Sequence, residues 1–248
     1  MALGFGSTFG SGTTDKLTSL NNFTCPTTVS VAFLTNRNAD NAALASRVIT
    51  QETGSHIFLI QTNGVSSIEE VLFPWTTTDG RWSITRPGTG VWTHNLIVYD
   101  GGSTTNTPTW YVNGSAVSVS TLVTPVGTPF NPPTEALVLG NRPAGDRVFD
   151  GRFAEFAIWN RLLTAAEAVG LGLRGMSPLA YSNGLVEYIP MVRNPFSRKN
   201  SGAFTAVGPP LPQPHPRVIY PIDVRVTAPT SGGIHRITTP IGLGIFRS

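Results

Sequence analysis

The side chains able to move protons in this chain are few: 14 Asp and Glu and 4 His among 248 residues. Hydrolysis of a glycosidic bond needs two carboxylates flanking the scissile atom, roughly 5–10 Å apart. Glu69 and Glu70 are adjacent, so on a strand they face opposite ways. Glu155 stands alone on its strand. His56, His94, His215 and His235 are widely spaced, and His94 sits within a strand pattern, which suits a core or sheet-face residue rather than a base. No Gly-x-Ser-x-Gly nucleophile elbow and no phosphate-cradling Gly-rich loop occurs. The expectation is no enzyme, no catalytic residue and no cofactor.

Three other groups of residues could bind something. Trp75, Asp79 and Trp82 share one loop and could form a glycan platform if their rings are exposed; the other reading folds both rings into the loop base. Asp100, Asp146 and Asp150 carry oxygens of the kind calcium takes, and leave that ion open. Arg193, Phe196, Arg198, Lys199 and Arg217 are the candidate partner interface. The four cations are too dispersed for a nucleic-acid footprint, and three of them are arginines, which suit carboxylate forks at a protein interface.

Composition sets the elements that must position these groups. With 26 Gly, 20 Pro and many Thr, Ser, Val and Asn, the chain favours short strands and frequent turns. Charge is sparse at 12%. The single Cys25 excludes an internal disulfide and a cysteine-based zinc cluster. No apolar run reaches the ~20 residues of a membrane span. The opening residues lack a basic stretch followed by a long apolar one, so the expectation is no signal peptide and folding in a cytoplasm. Residues 1–178 hold ten Lys/Arg against twelve Asp/Glu, net −2; residues 179–248 hold seven against two, net +5. A near-neutral body with a basic extension suggests an acidic partner for the latter.

Period-2 alternation predicts strands at Thr27–Asn36 and Arg152–Trp159, and strand patterns lie at Ser46–Gln51, His56–Thr62, Ile68–Phe73, Arg81–Thr85 and Ser182–Met191. Leu3 and Phe5 are the expected anchors of a first strand, and Asn113-Gly114 turns a hairpin over Thr109–Val117. In Arg152–Trp159, Phe153, Glu155 and Ala157 fall on one side, Ala154, Phe156 and Ile158 on the other. Thr164-Ala165-Ala166-Glu167 is a capping box and predicts a short helix near 164–173. Trp92, Trp110, Phe156 and Trp159 are expected to fill the core. Between Pro209 and Pro216 five prolines exclude a central strand and favour extended polyproline II. Short apolar runs at Ile222–Val226 and Ile241–Phe246 follow. This extension cannot bury a core of its own; it wraps the body or reaches a neighbour.

Phe149, Gly151, Phe153, Glu155, Phe156, Ile158, Trp159, Asn160, Arg161, Leu163, Thr164 and Glu167 resemble the run F-x-G-x-[IL]-D-E-[VF]-x-[IL]-[WY]-N-R-x-L-[ST]-x-x-E of the laminin-G-like, concanavalin A-like jelly rolls. Ala154 stands where an Asp is common. Gly90–Asp100, Trp110–Val117 and Ala136–Gly140 resemble three further stretches of that family, in the same order. The resemblance spans about residues 1–178 and implies an all-β, two-sheet jelly-roll sandwich with a short helix and an extended C-terminal arm, the domains being 1–178 and 179–248. Glucanases of that superfamily carry Glu-x-Asp-x-Glu on one strand, which is absent here. The family's first strand often brings carboxylates for calcium; Phe5–Gly10 has none. Gly184–Pro190 and Pro214-His215-Pro216 resemble segments that follow jelly rolls in phage proteins, although the acidic residues of that form are missing. This likeness implies a phage capsid decoration or cement protein on the virion surface, a homo-oligomer bound to the major capsid protein or another virion protein. The alternative is a carbohydrate-binding module that attaches to a surface glycan.

Overall fold

The computed structural model describes residues 2–5, 14–22, 24–38, 45–53, 56–63, 67–129, 135–191, 204–208 and 211–221. The strands are β1 (Ala2–Phe5), β2 (Lys16–Asn22), β3 (Thr28–Arg37), β4 (Ser46–Thr53), β5 (His56–Asn63) and β6 (Ile68–Phe73). Then come β7 (Gly80–Thr85), β8 (Thr93–Asp100), β9 (Thr109–Val112), β10 (Ser115–Val117) and β11 (Ser120–Val123). The last are β12 (Ala136–Leu139), β13 (Gly151–Trp159), β14 (Leu185–Ile189), β15 (Phe204–Val207) and β16 (Leu211–Gln213). Helix α1 covers Ala165–Gly172, and a 3-10 turn covers Pro178–Tyr181. Among the described residues no helix is long and apolar enough to cross a membrane.

Two antiparallel sheets face one another. One runs β10-β9-β8-β3-β13-β1-β16, with β14 also on β13; the other runs β11-β7-β6-β5-β4-β12-β2-β15. Alternate apolar side chains of both sheets fill the gap, as a sandwich requires. Phe73 of the second sheet stacks on Tyr99 of the first at 4.4 Å, and Trp82 leans on the same ring at 5.0 Å. Trp110 and Phe156 lie in this core, as expected. Trp159 does not: it packs on the outer face of the first sheet with Leu96, Ala157, Leu171 and Tyr188. Arg37 on β3 donates to Glu69 on β6 at 3.4 Å and ties the two sheets together.

The all-β sandwich follows the sequence reading closely where alternation is strong, and departs from it where strands are short and polar. β2, β11, β15 and β16 were not expected; β11 and β15 expose most of their side chains, so they carry no burial pattern. β8 starts at Thr93, and Trp92 is half-buried on the outer side rather than in the core. The face assignment along β13 also changes. Ala154 pairs with Leu34 and Ala157 with Ala32, so Glu155 and Phe156 together oppose one residue, Phe33. This β-bulge puts Glu155 at φ 53 and turns Phe153, Phe156 and Ile158 all inward.

The boundary at 178/179 does not separate two bodies among the described residues. β14 pairs with β13, β15 ends the second sheet against β2, and β16 ends the first sheet against β1. The proline run is compatible with this because Pro212 sits in an edge strand, where its missing N–H costs no ladder bond. The described residues of the extension, 179–191, 204–208 and 211–221, therefore lie along their own body. Arg193, Phe196, Arg198, Lys199 and the runs after Pro221 lie outside the described residues.

Helix α1 forms where the capping box predicts. Glu167 N donates to Thr164 Oγ1 at 3.3 Å, and Thr164 N donates to Glu167 Oε2 at 2.8 Å. Arg161 adds a fork onto the same carboxylate, and these contacts hold Glu167 down at about 2, from the ordinary 4.5. A folded value below the unfolded one gives stability that is complete above about pH 5 and is lost as pH falls toward 2. Glu167→Gln should accordingly lower the melting temperature at pH 7, and the gap to wild type should close near pH 2, as calorimetry across that range would read.

Candidate ligand cavity and the C-terminal strap

Glu155 is the centre of a polar cluster on the outer face of the first sheet. It is a buried carboxylate among the apolar residues Phe153–Trp159 of β13, aimed outward by the bulge. Tyr188 on β14 donates its hydroxyl to Oε2 at 2.7 Å. Tyr220 donates to Oε1 at 2.8 Å, and His215 Nε2 lies 3.0 Å from the same oxygen. His215 Nε2 is also 3.2 Å from the Pro190 carbonyl. Burial, with the Glu155 charge beside it, pushes the Tyr188 phenol far above its usual range.

Residues 214–221 thus form a strap pinned at both ends by one carboxylate. Between the pins, Ile219 N donates to Gly175 O at 2.7 Å and Ser177 N donates to Ile219 O at 2.8 Å. Non-glycine residues at positive φ carry strain and persist where their surroundings hold them. Here three side chains from distant parts of the chain hold Glu155.

The strap roofs a cavity of about 120 Å³. Its walls include Trp92, His94, Glu155, Leu171, Met176 and Arg217. α1 closes one side by packing against the β9–β10 turn: a Cβ on Gly172 would collide with the Gly114 backbone. That turn has φ of 51 at Asn113 and 83 at Gly114, the hairpin geometry that favours Asn-Gly. His94 N donates to Asn113 Oδ1 at 2.9 Å, so turn, strand and helix are fixed together. His94 itself is buried; desolvation pushes its imidazole down to about 4 and leaves it neutral at physiological pH. Its Nδ1 has no hydrogen-bond partner among the described residues.

The glycan platform and the calcium ligands expected from the sequence do not assemble among the described residues. Trp75 and Trp82 are 2% and 1% exposed, so the open glycan platform is absent and the rings fill the core. Asp79 is spent locally, accepting from Trp75 N at 2.9 Å and Ile57 N at 3.2 Å. Asp100 caps its own turn through Gly102 N, and Asp146 pairs with Arg142. Asp100, Asp146 and Asp150 do not converge: among the described residues no three acidic, His or Cys side chains could hold a metal. Of the predicted interface, Arg217 is described and stands at the cavity mouth. Sequence reading noted Glu155 and missed its role, and missed Tyr188, Tyr220 and Trp92 as site residues. The available signal was a carboxylate where strand alternation called for an apolar residue.

A profile of the laminin-G type within the concanavalin A-like lectin/glucanases superfamily matches residues 9–169. No curated protein matches the chain in sequence. Among solved structures, the chain is similar to the heptameric SAP-like pentraxin of Limulus polyphemus, with a TM-score of 0.53 and 14% identity, covering 84% of this chain and 91% of that one. It is also similar to a putative carbohydrate binding protein of Bacteroides ovatus, with a TM-score of 0.57 and 16% identity over 87% of this chain and 61% of that one. At these identities the likeness is one of fold. Sandwich, capped helix and matched profile together make the chain a member of the concanavalin A-like lectin/glucanase superfamily.

Proposed function

We propose that the chain is a non-enzymatic structural protein of a virion, a capsid decoration protein that docks on a neighbouring protein through its helix–strap face. One observation carries this reading. Leu173, Val91 and Ile219 are 72%, 57% and 53% exposed, and each is the chain neighbour of a cavity-lining residue, Gly172, Trp92 and Val218. Single exposed apolar side chains are ordinary; several around one cavity make the kind of patch found at protein interfaces. The strap is already pinned, so docking there orders little new chain, which favours affinity. The chemistry agrees, since the one carboxylate in the cavity is taken up by three partners and His94 is neutral. The virion setting rests on the likeness of residues 184–190 and 214–216 to segments that follow jelly rolls in phage proteins.

Carbohydrate recognition is the second reading, favoured by the half-buried Trp92 ring in the cavity wall, where a sugar face could stack. Antibody against the purified chain should label the surface of particles from cells that produce it. Leu173→Asp with Ile219→Asp should cut the particle-bound fraction by about tenfold, as loss of central interface contacts does, without lowering the melting temperature. A wild-type chain that sediments free of particles and is retained on a glycan array would reverse the order of the two readings.

A further inference from the structure

We infer that the cavity under the strap is the socket for one tyrosine side chain presented by an acidic face of the protein partner. The socket rests on the docking role and adds to it the identity of the inserted group.

Size and walls select a flat ring. The cavity holds about 120 Å³, and an apolar protein cavity of roughly 150 Å³ is enough to take up benzene. Leu34, Leu171, Met176 and Pro178 supply apolar walls. His94 lines the cavity and neither ring nitrogen has a hydrogen-bond partner among the described residues; Nδ1 is sealed off, so Nε2 is the polar atom a guest can reach. A phenol answers both demands, with an apolar body and one hydroxyl at its end. A phenylalanine would leave the imidazole nitrogen unpaired. An inserted carboxylate would stand beside Glu155, and an inserted cation beside Arg217.

The mouth specifies the surrounding partner surface. Arg217 is exposed there, and Arg174 is exposed between Leu173 and the lining residue Gly175. A second copy of this chain would set like charges together, whereas an acidic face complements them. Val91, Leu173 and Ile219, each next in the chain to a lining residue, add exposed apolar side chains beside the mouth. A buried anchor ringed by water-excluding contacts is the arrangement of an interface hot spot, in which tyrosine is over-represented.

The test uses the full chain and the tyrosine side chain as a free molecule, p-cresol, followed by NMR. p-Cresol should shift the Trp92 indole and the Gly172 and Gly175 amides, and toluene should bind about tenfold more weakly for want of the hydroxyl. His94→Leu should erase that preference. Val218→Trp, which fills the socket from the exposed strap side, should abolish p-cresol binding in a chain whose melting temperature shows it folded. Binding of methyl glucoside in place of p-cresol, or equal binding of p-cresol and toluene to wild type, overturns the socket. If p-cresol fails while Leu173→Asp with Ile219→Asp still frees the chain from particles, the socket falls and docking stands. If p-cresol binds and those variants stay on particles, this face is not the docking surface and the tyrosine assignment falls with it.

Discussion

Glu155→Gln should unfasten residues 214–221 while leaving both sheets intact. The buried carboxylate accepts from buried Tyr188 and from Tyr220, which is 41% exposed, and faces His215. An amide has one acceptor oxygen and a donor NH₂, so either Tyr188 or the Tyr220–His215 pair loses its charged acceptor oxygen. Disrupting a buried, charge-assisted cluster of this kind costs about 2–4 kcal/mol. For a chain of this length that is a fall of about 5–10 °C in melting temperature. The local effect is the more specific one: amide hydrogen exchange at Ile219 and Ser177, which bond to Gly175 and Ile219, should speed up well before exchange in β3 or β8. Glu155→Gly is the control for strain. Glycine relaxes the φ of 53 at no steric cost, yet it removes all three contacts, so the strap should still open. Slow exchange at Ile219 in both variants would show that the strap is held by packing rather than by the carboxylate.

The second large effect lies in the sandwich core. Trp110 is fully buried on β9, and its indole N–H donates to Asn95 Oδ1 at 3.0 Å. Trp110→Ala leaves a cavity between the sheets and should cost about 3–5 kcal/mol in urea unfolding. Trp110→Phe keeps most of the ring and strands the Asn95 oxygen, at about 1–3 kcal/mol. Adding Asn95→Leu to Trp110→Phe should recover part of that loss, because both ends of the hydrogen bond are then apolar. Additive losses in the double variant would mean that Asn95 serves a partner other than the indole.

What could be read from the sequence was whatever depends on neighbours along the chain. The Thr164–Glu167 box fixes α1 because cap and helix are three residues apart. Asn113-Gly114 fixes its hairpin because both residues accept positive φ. The bulge at Glu155 escaped because its cause is remote: Tyr188, His215 and Tyr220 lie 33 to 65 residues away. Period-2 counting cannot register an extra residue held in place from such distances, so it turned Phe153 the wrong way. Trp75 and Trp82 were left between platform and buried rings for a related reason. A tryptophan is exposed or buried according to what faces it across the sandwich, and the Phe73 and Tyr99 rings that meet Trp82 come from different sheets. The cavity was hidden more deeply still, since its walls come from a strand, a helix and the strap at once.

The segment from Phe204 to Gln213 supplies the last strand of both sheets. A chain emerging from the ribosome therefore carries two unfinished sheets until that segment has been synthesised. Until then β1 and β2 offer bare backbone edges to any other nascent copy. Stopping translation ahead of Phe204 should thus yield a sticky product, and completion of β15 and β16 decides between a closed particle and a clump.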